Sequence, residues 1–161
     1  MAAKGKIPAT PAVRLLKAAG IDFTPRQYNY EDRGGTETAA RELGVDEHAV
    51  IKTLVFEDET GAPNLVLMHG DRQVSTKSLA RQMGAKSVSP CDPAAAEKYT
   101  GYKVGGISPL GTRRKMPVYF EESMLELPLI LINGGQRGWL LEMSPQVLVR
   151  LLGASPVNAA V

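Results

Sequence analysis

The stretch Gly105-Gly106-Ile107-Ser108-Pro109-Leu110-Gly111 combines three glycines with one proline and one serine. Glycine adopts positive φ angles without steric cost, and proline fixes its own φ near about −65°. A loop of this composition can be both exposed and rigid. Its successive backbone N–H groups can form an anion-binding concavity, to which the Ser108 hydroxyl adds a donor and an acceptor. The same composition also suits a tight turn between strands, so the flanking sequence has to distinguish the two.

Short helices and short strands are intermixed on both sides of this loop. Capping residues and apolar stripes predict helices that begin after Thr10, at Thr36, at Ser75 or Thr76, at Ala94 and after Ser144-Pro145, the last ending near Gly153. Apolar, β-prone runs predict an edge strand within residues 21–30 and further strands at residues 50–56, 65–68, 117–120, 129–132 and 139–143. The connections after Phe56 and Ile132 are too short for crossovers, which favours antiparallel pairing. The sequence therefore predicts an α+β fold, with a mixed, mostly antiparallel sheet or open barrel and peripheral helices.

Composition limits the classes of protein that the chain can belong to. With 161 residues, 43% hydrophobic and 22% charged, we expect one globular domain over residues 10–161, preceded by a disordered leader over residues 1–9. No apolar run approaches the roughly 18 residues of a membrane helix. The single cysteine excludes an internal disulfide and fits a reducing compartment, so we expect a cytoplasmic protein without a membrane partner.

Charge gives a weaker indication of partners. The formal net charge of +2 is far from that of a dedicated duplex-binding protein. The run Arg113-Arg114-Lys115 directly follows the glycine loop and is compatible with a nearby phosphate, or with an ordinary solvated turn.

Lys52 lies inside the apolar run of residues 50–56, where its ammonium group would lose hydration unless it reached a cleft or a partner. Strand alternation also allows a solvent-facing lysine at this position. Lys52 is therefore either a surface residue of a half-buried strand or a cation directed at a carbonyl or phosphate group.

Metal and thiol chemistry are not indicated. His48 and His69 are the only histidines, and their spacing matches no metal motif. Cys91 stands between Pro90 and Asp92, and a neighbouring carboxylate raises the pKa of a thiol, so we do not expect a nucleophile there. We expect neither a metal nor another cofactor.

A second glycine-rich turn, Asn133-Gly134-Gly135-Gln136-Arg137-Gly138, has more glycine than a two-residue hairpin requires, and it can face the first loop. Arg137 offers a planar fork to a phosphate or carboxylate, or lies on a solvated rim. Tyr28 either stacks on a base or fills a sheet edge.

The order of these motifs resembles the YbaK family. The resemblance runs from about Thr10 to Gly153 and is closest to the YbaK-type Cys-tRNA(Pro) deacylases, single-domain relatives of the editing domain in bacterial prolyl-tRNA synthetases. The motifs that carry it are Thr10-Pro11-Ala12, Tyr28, Lys52-Thr53-Leu54, Thr100-Gly101-Tyr102 with the loop 105–111, and the turn 134–138.

The resemblance implies a trans-editing enzyme that hydrolyses the ester between a wrong amino acid and the 3′ end of tRNA, with a synthetase as an accompanying partner. Lys52 matches the functional lysine of the family. Gly105, Gly106, Ile107, Ser108 and Pro109 match the family's substrate loop; Tyr28, Asn133, Gly134, Gly135 and Arg137 would complete the pocket. In the Cys-specific branch the substrate's own thiol is thought to attack the ester carbonyl, which implies a site without a protein nucleophile.

Three positions depart from the family pattern. Asn133 replaces a common serine and Gln136 replaces a lysine, which bears on substrate choice and tRNA contact. Met68 is larger than its usual counterparts, so we expect a different pocket volume. Alanine or another small residue therefore stays open as the edited amino acid. A non-catalytic module that binds an acylated tRNA end or a synthetase, and a general nucleotide-binding protein, are the alternatives. The sequence does not determine an oligomeric state.

Overall fold

The computed structural model describes residues 6–161, and residues 1–5 lie outside it. The predicted leader of residues 1–9 therefore falls partly outside the described residues. Within the described part, Ile7 packs against the main hydrophobic core. The domain boundary after residue 9 stays a prediction.

The described chain contains eight strands and five α-helices. The strands are β1 Thr24–Gln27, β2 Ile51–Asp58, β3 Pro63–His69, β4 Val88–Pro90, β5 Val118–Glu121, β6 Ile130–Asn133, β7 Trp139–Met143 and β8 Ser155–Val157. The helices are α1 Pro11–Ala18, α2 Gly35–Leu43, α3 Thr76–Met83, α4 Pro93–Thr100 and α5 Gln146–Arg150, with 3₁₀ turns at Glu47–Ala49 and Glu122–Glu126.

The strands form two sheets. One has the order β1-β7-β6 with antiparallel pairing throughout. The other has the order β4-β2-β3-β5-β8, in which β2 pairs antiparallel with β3 and β4, whereas β3–β5 and β5–β8 are parallel. A parallel bridge between Val50 and Leu131 joins the start of β2 to β6. The predicted α+β class with a mixed, mostly antiparallel sheet is confirmed.

The main core lies between the two sheets. Ile51, Leu67 and Phe120 of the five-stranded sheet and Ile132 and Leu141 of the three-stranded sheet belong to it. Two smaller clusters cover the outer faces: α3 packs on the five-stranded sheet, and α2 packs on the three-stranded sheet. This arrangement leaves the junction of β2 with β6 as the place where both sheets, α2 and the glycine loop meet.

Most local predictions are confirmed, because their signals are short-range. Thr10, Ser75 and Asp92 cap their helices as predicted, each accepting a backbone N–H of the first turn. The last helix ends at Arg150 rather than near Gly153. The edge strand β1 occupies only four of the ten residues in the predicted segment.

No helix within residues 6–161 is long and apolar enough to cross a bilayer.

Candidate functional site

A cavity of about 340 Å³ lies at the junction of the two sheets. Five of the predicted site residues line it: Tyr28, Lys52, Gly105, Ile107 and Asn133. The strand β2 supplies Lys52, β6 ends at Asn133, and the glycine loop supplies the other wall. The structure thus brings together residues that are up to 105 positions apart in the sequence, from Tyr28 to Asn133.

The cavity borders an open edge of β2. The carbonyl of Val55 accepts a hydrogen bond from the Cys91 N–H at 2.9 Å, on the side away from β3. Because the backbone groups of alternate residues point to the same side of a strand, the N–H and C=O of Thr53 also point away from β3. The strand β4 pairs with β2 only from Phe56 onward. Thr53 therefore presents backbone donors and acceptors at an edge that borders the cavity.

Lys52 is held at the rim of this cavity. Its ammonium group donates a hydrogen bond to the backbone carbonyl of Arg72, in the turn after β3. Burial lowers the pKa of Lys52, while the carboxylates of Glu47 and Asp71 act in the opposite direction and raise it. Lys52 is thus neither fully solvated nor neutralised by an ion pair, which leaves its charge available to a group in the cavity.

Two stacked histidines hold the turn that binds Lys52. The rings of His48 and His69 are parallel to within 7°, with centroids 3.7 Å apart. The Nδ1 atom of His48 lies 2.8 Å from a carboxylate oxygen of Asp71, and His69 contacts the carbonyl of His48 at 2.7 Å and the hydroxyl of Ser123 at 2.7 Å. Burial is the main reason that the pKa of His69 is lowered. These histidines therefore have a structural role beside the cavity.

No metal site is evident at this position or elsewhere in residues 6–161, where no group of three or more His, Cys, Asp and Glu side chains could hold an ion.

Cys91 is partly buried, and burial together with Glu57 and Asp92 raises its pKa to about 11. Its thiol is consequently protonated at neutral pH.

The first glycine loop approaches its neighbours too closely for side chains. Gly105 has φ +93°, and a Cβ there would lie 3.0 Å from two ring carbons of Tyr30 and closer still to the Tyr30 hydroxyl. A Cβ on Gly106 would lie 3.0 Å from the backbone nitrogen of Arg137. The two glycine-rich turns therefore pack against each other, as their composition suggested.

Ser108 and Pro109 are buried beneath the loop and do not line the cavity. The Ser108 hydroxyl accepts a hydrogen bond from the Leu110 N–H at 3.2 Å. The Tyr102 hydroxyl donates to the carbonyl of Leu110 at 2.6 Å. These residues shape the loop from within, and their predicted role in substrate binding stays a prediction.

Arg137 braces the cavity wall from outside. Its Nε donates to the carbonyl of Val104 at 2.9 Å, and its guanidinium lies 5.0 Å from the centre of the Tyr30 ring. Gly134 and Gly135 are likewise outside the lining; the Gly134 carbonyl accepts a hydrogen bond from the Thr10 hydroxyl. A direct contact of these three residues with substrate stays a prediction.

Two polar side-chain atoms at the cavity lack a protein partner. The amide oxygen of Asn133 and the hydroxyl of Thr53 are buried, and neither forms a hydrogen bond with another described residue. Burying a polar atom without a partner costs free energy unless a ligand or water forms a hydrogen bond with it.

Met68 is fully buried, pairs with Lys52 across the hairpin and is not part of the lining. The methionine at position 68, although larger than the residues that relatives commonly have there, therefore does not shape the cavity wall.

Part of the cavity wall was not predicted from the sequence. Tyr30, Asp32, Arg33 and Thr36 line the cavity between β1 and the first turn of α2. Arg33 has φ +61°, a conformation that residues other than glycine rarely adopt. The available signal was the spacing of Tyr28 and Tyr30, which places both rings on one side of an extended segment.

Comparisons with known proteins identify relatives of this chain. A family model described as an aminoacyl-tRNA editing domain matches residues 31–151. The chain is 28% identical over 152 residues to EbsC of Enterococcus faecalis, whose name assigns it to Cys-tRNA(Pro)/Cys-tRNA(Cys) deacylases; the match covers 94% of this chain and 93% of that protein. It is 29% identical over 138 residues to the proline–tRNA ligase of Nitratidesulfovibrio vulgaris, covering 85% of this chain and 21% of the ligase.

Solved structures show the same fold. The crystal structure of the hypothetical protein APE2540 matches with a TM-score of 0.86 and 25% identity, covering 94% of this chain and all of that one. A protein described as a trans-editing enzyme for prolyl-tRNA synthetase matches with a TM-score of 0.79 and 23% identity, covering 96% and 99% of the two chains. The matching family model spans most of the chain, from α2 to α5, and includes Lys52 and both glycine-rich turns. The chain therefore belongs to the aminoacyl-tRNA editing domain family.

Proposed function

We propose that this protein is a trans-editing deacylase that hydrolyses the ester bond of mischarged tRNA(Pro), with Cys-tRNA(Pro) as its main substrate. The observation that carries the proposal is that Lys52 and Gly105 line one cavity. Similarity to EbsC, whose name specifies Cys-tRNA(Pro) and Cys-tRNA(Cys), supports this choice of substrate.

The composition of the cavity wall favours chemistry assisted by the substrate. No serine, cysteine or histidine side chain is among the described residues that line it. A Ser–His or Cys–His pair is therefore not available there. The cysteinyl thiol of the substrate attacks its own ester carbonyl, a C–S bond forms, and the bond from the carbonyl carbon to the ribose oxygen breaks. The thiol proton is transferred to the leaving ribose oxygen, and water then opens the released thiolactone to free cysteine.

Lys52 stabilises the negative charge that develops on the carbonyl or leaving oxygen. Its ammonium must exchange the Arg72 carbonyl for the reacting group, a rearrangement of one hydrogen bond. The backbone at Gly105 can approach the substrate closely because no side chain intervenes. One well-placed donor of this kind contributes about 3–4 kcal/mol to transition-state stabilisation.

The amino acid is selected by the polar atoms in the wall. The Asn133 amide oxygen and Thr53 hydroxyl are buried and lack protein partners, and a rotation of either side chain into the cavity would let it hydrogen-bond to the amino or thiol group of a cysteinyl ester. An alanyl ester lacks the thiol and cannot form the thiolactone, so it reacts more slowly. Discrimination based only on the size of a side chain is limited to about 1–3 kcal/mol per methylene.

The partner of the reaction is a synthetase that supplies mischarged tRNA. The match to a proline–tRNA ligase, which covers 85% of this chain and 21% of the ligase, relates the chain to a synthetase for proline. We therefore place the protein in the cytoplasm, beside prolyl-tRNA synthetase, as an editing activity acting in trans.

A deacylation panel tests the proposal. The protein is incubated with Cys-tRNA(Pro), Ala-tRNA(Pro) and Pro-tRNA(Pro), and ester loss is followed over time. We expect fast loss of the cysteinyl ester, slower loss of the alanyl ester and none of the prolyl ester above background. Binding of all three without loss of any ester would favour a non-catalytic module instead.

A further inference from the structure

The catalytic cavity continues into a groove along the open edge of β2. A second depression of about 420 Å³ shares four lining residues with the cavity: Thr53, Leu54, Val104 and Ile107. Its further wall is formed mainly by apolar side chains, among them Phe56, Val74, Pro90 and Pro93. The groove therefore gives an extended, largely apolar path away from Lys52.

A cationic depression lies at the far end of this groove. Its volume is about 460 Å³, and it shares Thr76 with the groove. Lys77, Arg81 and Lys86 are the charged residues in its lining, with no aspartate or glutamate among the described lining residues. All three are exposed, and none takes part in the ion pairs formed within residues 6–161.

Helix stability explains only one of these cations. Arg81 lies in the last turn of α3, where a positive charge is favourable, but Lys77 lies in the first turn, where it is not, and like charges four residues apart repel by a few tenths of a kcal/mol. The nearby carboxylate of Glu59 accepts hydrogen bonds from the backbone N–H groups of Lys86 and Ser87 instead of pairing with the Lys86 ammonium. Three unpaired positive charges therefore converge on one concave surface.

We propose that this path, from the catalytic cavity through the β2 groove to Lys77, Arg81 and Lys86, binds the single-stranded 3′ end of the tRNA substrate. The inference rests on the proposed function. The acylated terminal nucleotide occupies the cavity. Preceding bases contact the apolar groove, and their phosphates contact the three cations. Apolar and aromatic surfaces combined with a positively charged track are the features by which proteins bind single strands without reading their sequence.

Salt dependence provides the quantitative expectation. Each phosphate neutralised on a single strand contributes about −0.7 to the slope of log K against log salt. Loss of three contacts should therefore make the slope shallower by about 2. The same loss should raise KM for mischarged tRNA by at least about tenfold at physiological ionic strength, with little change in kcat.

The experiment compares two triple variants of equal charge change. One carries Lys77→Ala, Arg81→Ala and Lys86→Ala. The control carries Lys6→Ala, Lys17→Ala and Arg150→Ala, three exposed cations outside the cavity, the groove and the cationic depression. Hydrolysis of Cys-tRNA(Pro) is measured over a series of salt concentrations, beside hydrolysis of a minimal substrate, the cysteinyl ester of adenosine. Glutamine substitutions at Lys77, Arg81 and Lys86 serve as a second variant with high helix propensity.

For the first triple variant we expect a shallower salt slope and a higher KM with the tRNA substrate. It should hydrolyse the minimal substrate at the parental rate, and this result would also show that the variant is folded. The control should retain the parental salt slope. Equal slopes and KM values for the parent and both charge-removal variants at residues 77, 81 and 86 would overturn the inference. If the parent hydrolyses neither substrate, the proposed function itself fails, which is a distinguishable outcome.

Discussion

Replacement of Gly105 by alanine tests how closely the glycine loop and the cavity wall are fitted. Gly105→Ala adds the cost of a strained backbone conformation to the cost of overpacking against Tyr30. A non-glycine residue at positive φ costs about 1–2 kcal/mol, and alanine recovers about 0.4–1 kcal/mol by restricting the unfolded chain. The new methyl group would also lie 3.0 Å from the Tyr30 ring, inside the 3.4 Å at which ordinary contact begins. Overpacking of this kind costs about 1–3 kcal/mol, so we expect a total loss of about 2–4 kcal/mol.

The matched control is Gly61→Ala in the β2–β3 turn. Gly61 has φ +83°, close to the +93° of Gly105, but a Cβ there meets no atom within 4 Å. It should therefore show only the backbone cost, a net loss of about 1 kcal/mol. Urea unfolding gives both free energies, and single-turnover deacylation gives the activity. Gly105→Ala should also raise KM, because the Tyr30 ring has to shift in the cavity wall, and adding Tyr30→Phe should recover part of the stability. Equal stability of Gly105→Ala and Gly61→Ala, with unchanged KM, would refute the reasoning.

Three further predictions follow from the surroundings of the site. Because the pKa of Cys91 is about 11, about 0.1% of its thiol is ionised at pH 8, and iodoacetamide should alkylate it roughly 200-fold more slowly than a free cysteine with a pKa of about 8.5. Cys91 lines the β2 groove and not the cavity, so Cys91→Ser should hydrolyse the cysteinyl ester of adenosine at the parental rate, and a large loss would assign the thiol a role. Asp71→Asn should lower the pKa of Lys52 further, since Asp71 raises it, so the alkaline limb of kcat/KM should move to lower pH; an unmoved limb would contradict the coupling. Tyr102→Phe should cost about 1–3 kcal/mol in thermal or urea unfolding, because the Leu110 carbonyl loses its buried donor, and a neutral result would mean that the hydrogen bond is not needed.

The sequence was informative wherever a signal was local. The β2–β3 hairpin, the helix caps and the left-handed Gly44, Gly84 and Gly101 that end three helices all depend on residues within one turn of each other. The three-residue strands β4 and β8 were missed, because each contains a proline and too few residues for a period to be visible.

Long-range contacts could not be predicted in the same way. The placement of Lys52 depends on the Arg72 carbonyl, and the conformation of Gly105 depends on Tyr30, 75 residues earlier in the chain. Neither partner carries a motif of its own. The sequence identified Lys52 as a lysine in need of a partner, but only the tertiary structure shows that the partner is a backbone carbonyl held by stacked histidines.

Single-turnover deacylation of Cys-tRNA(Pro) by Lys52→Met tests the central claim most directly. Methionine retains most of the length of the side chain and removes its charge. Burial lowers the pKa of Lys52, so the folded chain holds the ammonium group at a cost that the unfolded chain does not have. Lys52→Met removes this cost together with the hydrogen bond to the Arg72 carbonyl, and we expect the free energy of unfolding to stay within about 1 kcal/mol of the parental value. We predict that the deacylation rate falls by a factor of about 10²–10³, the cost of removing one oxyanion donor. A folded Lys52→Met protein that deacylates Cys-tRNA(Pro) at the parental rate would contradict the account.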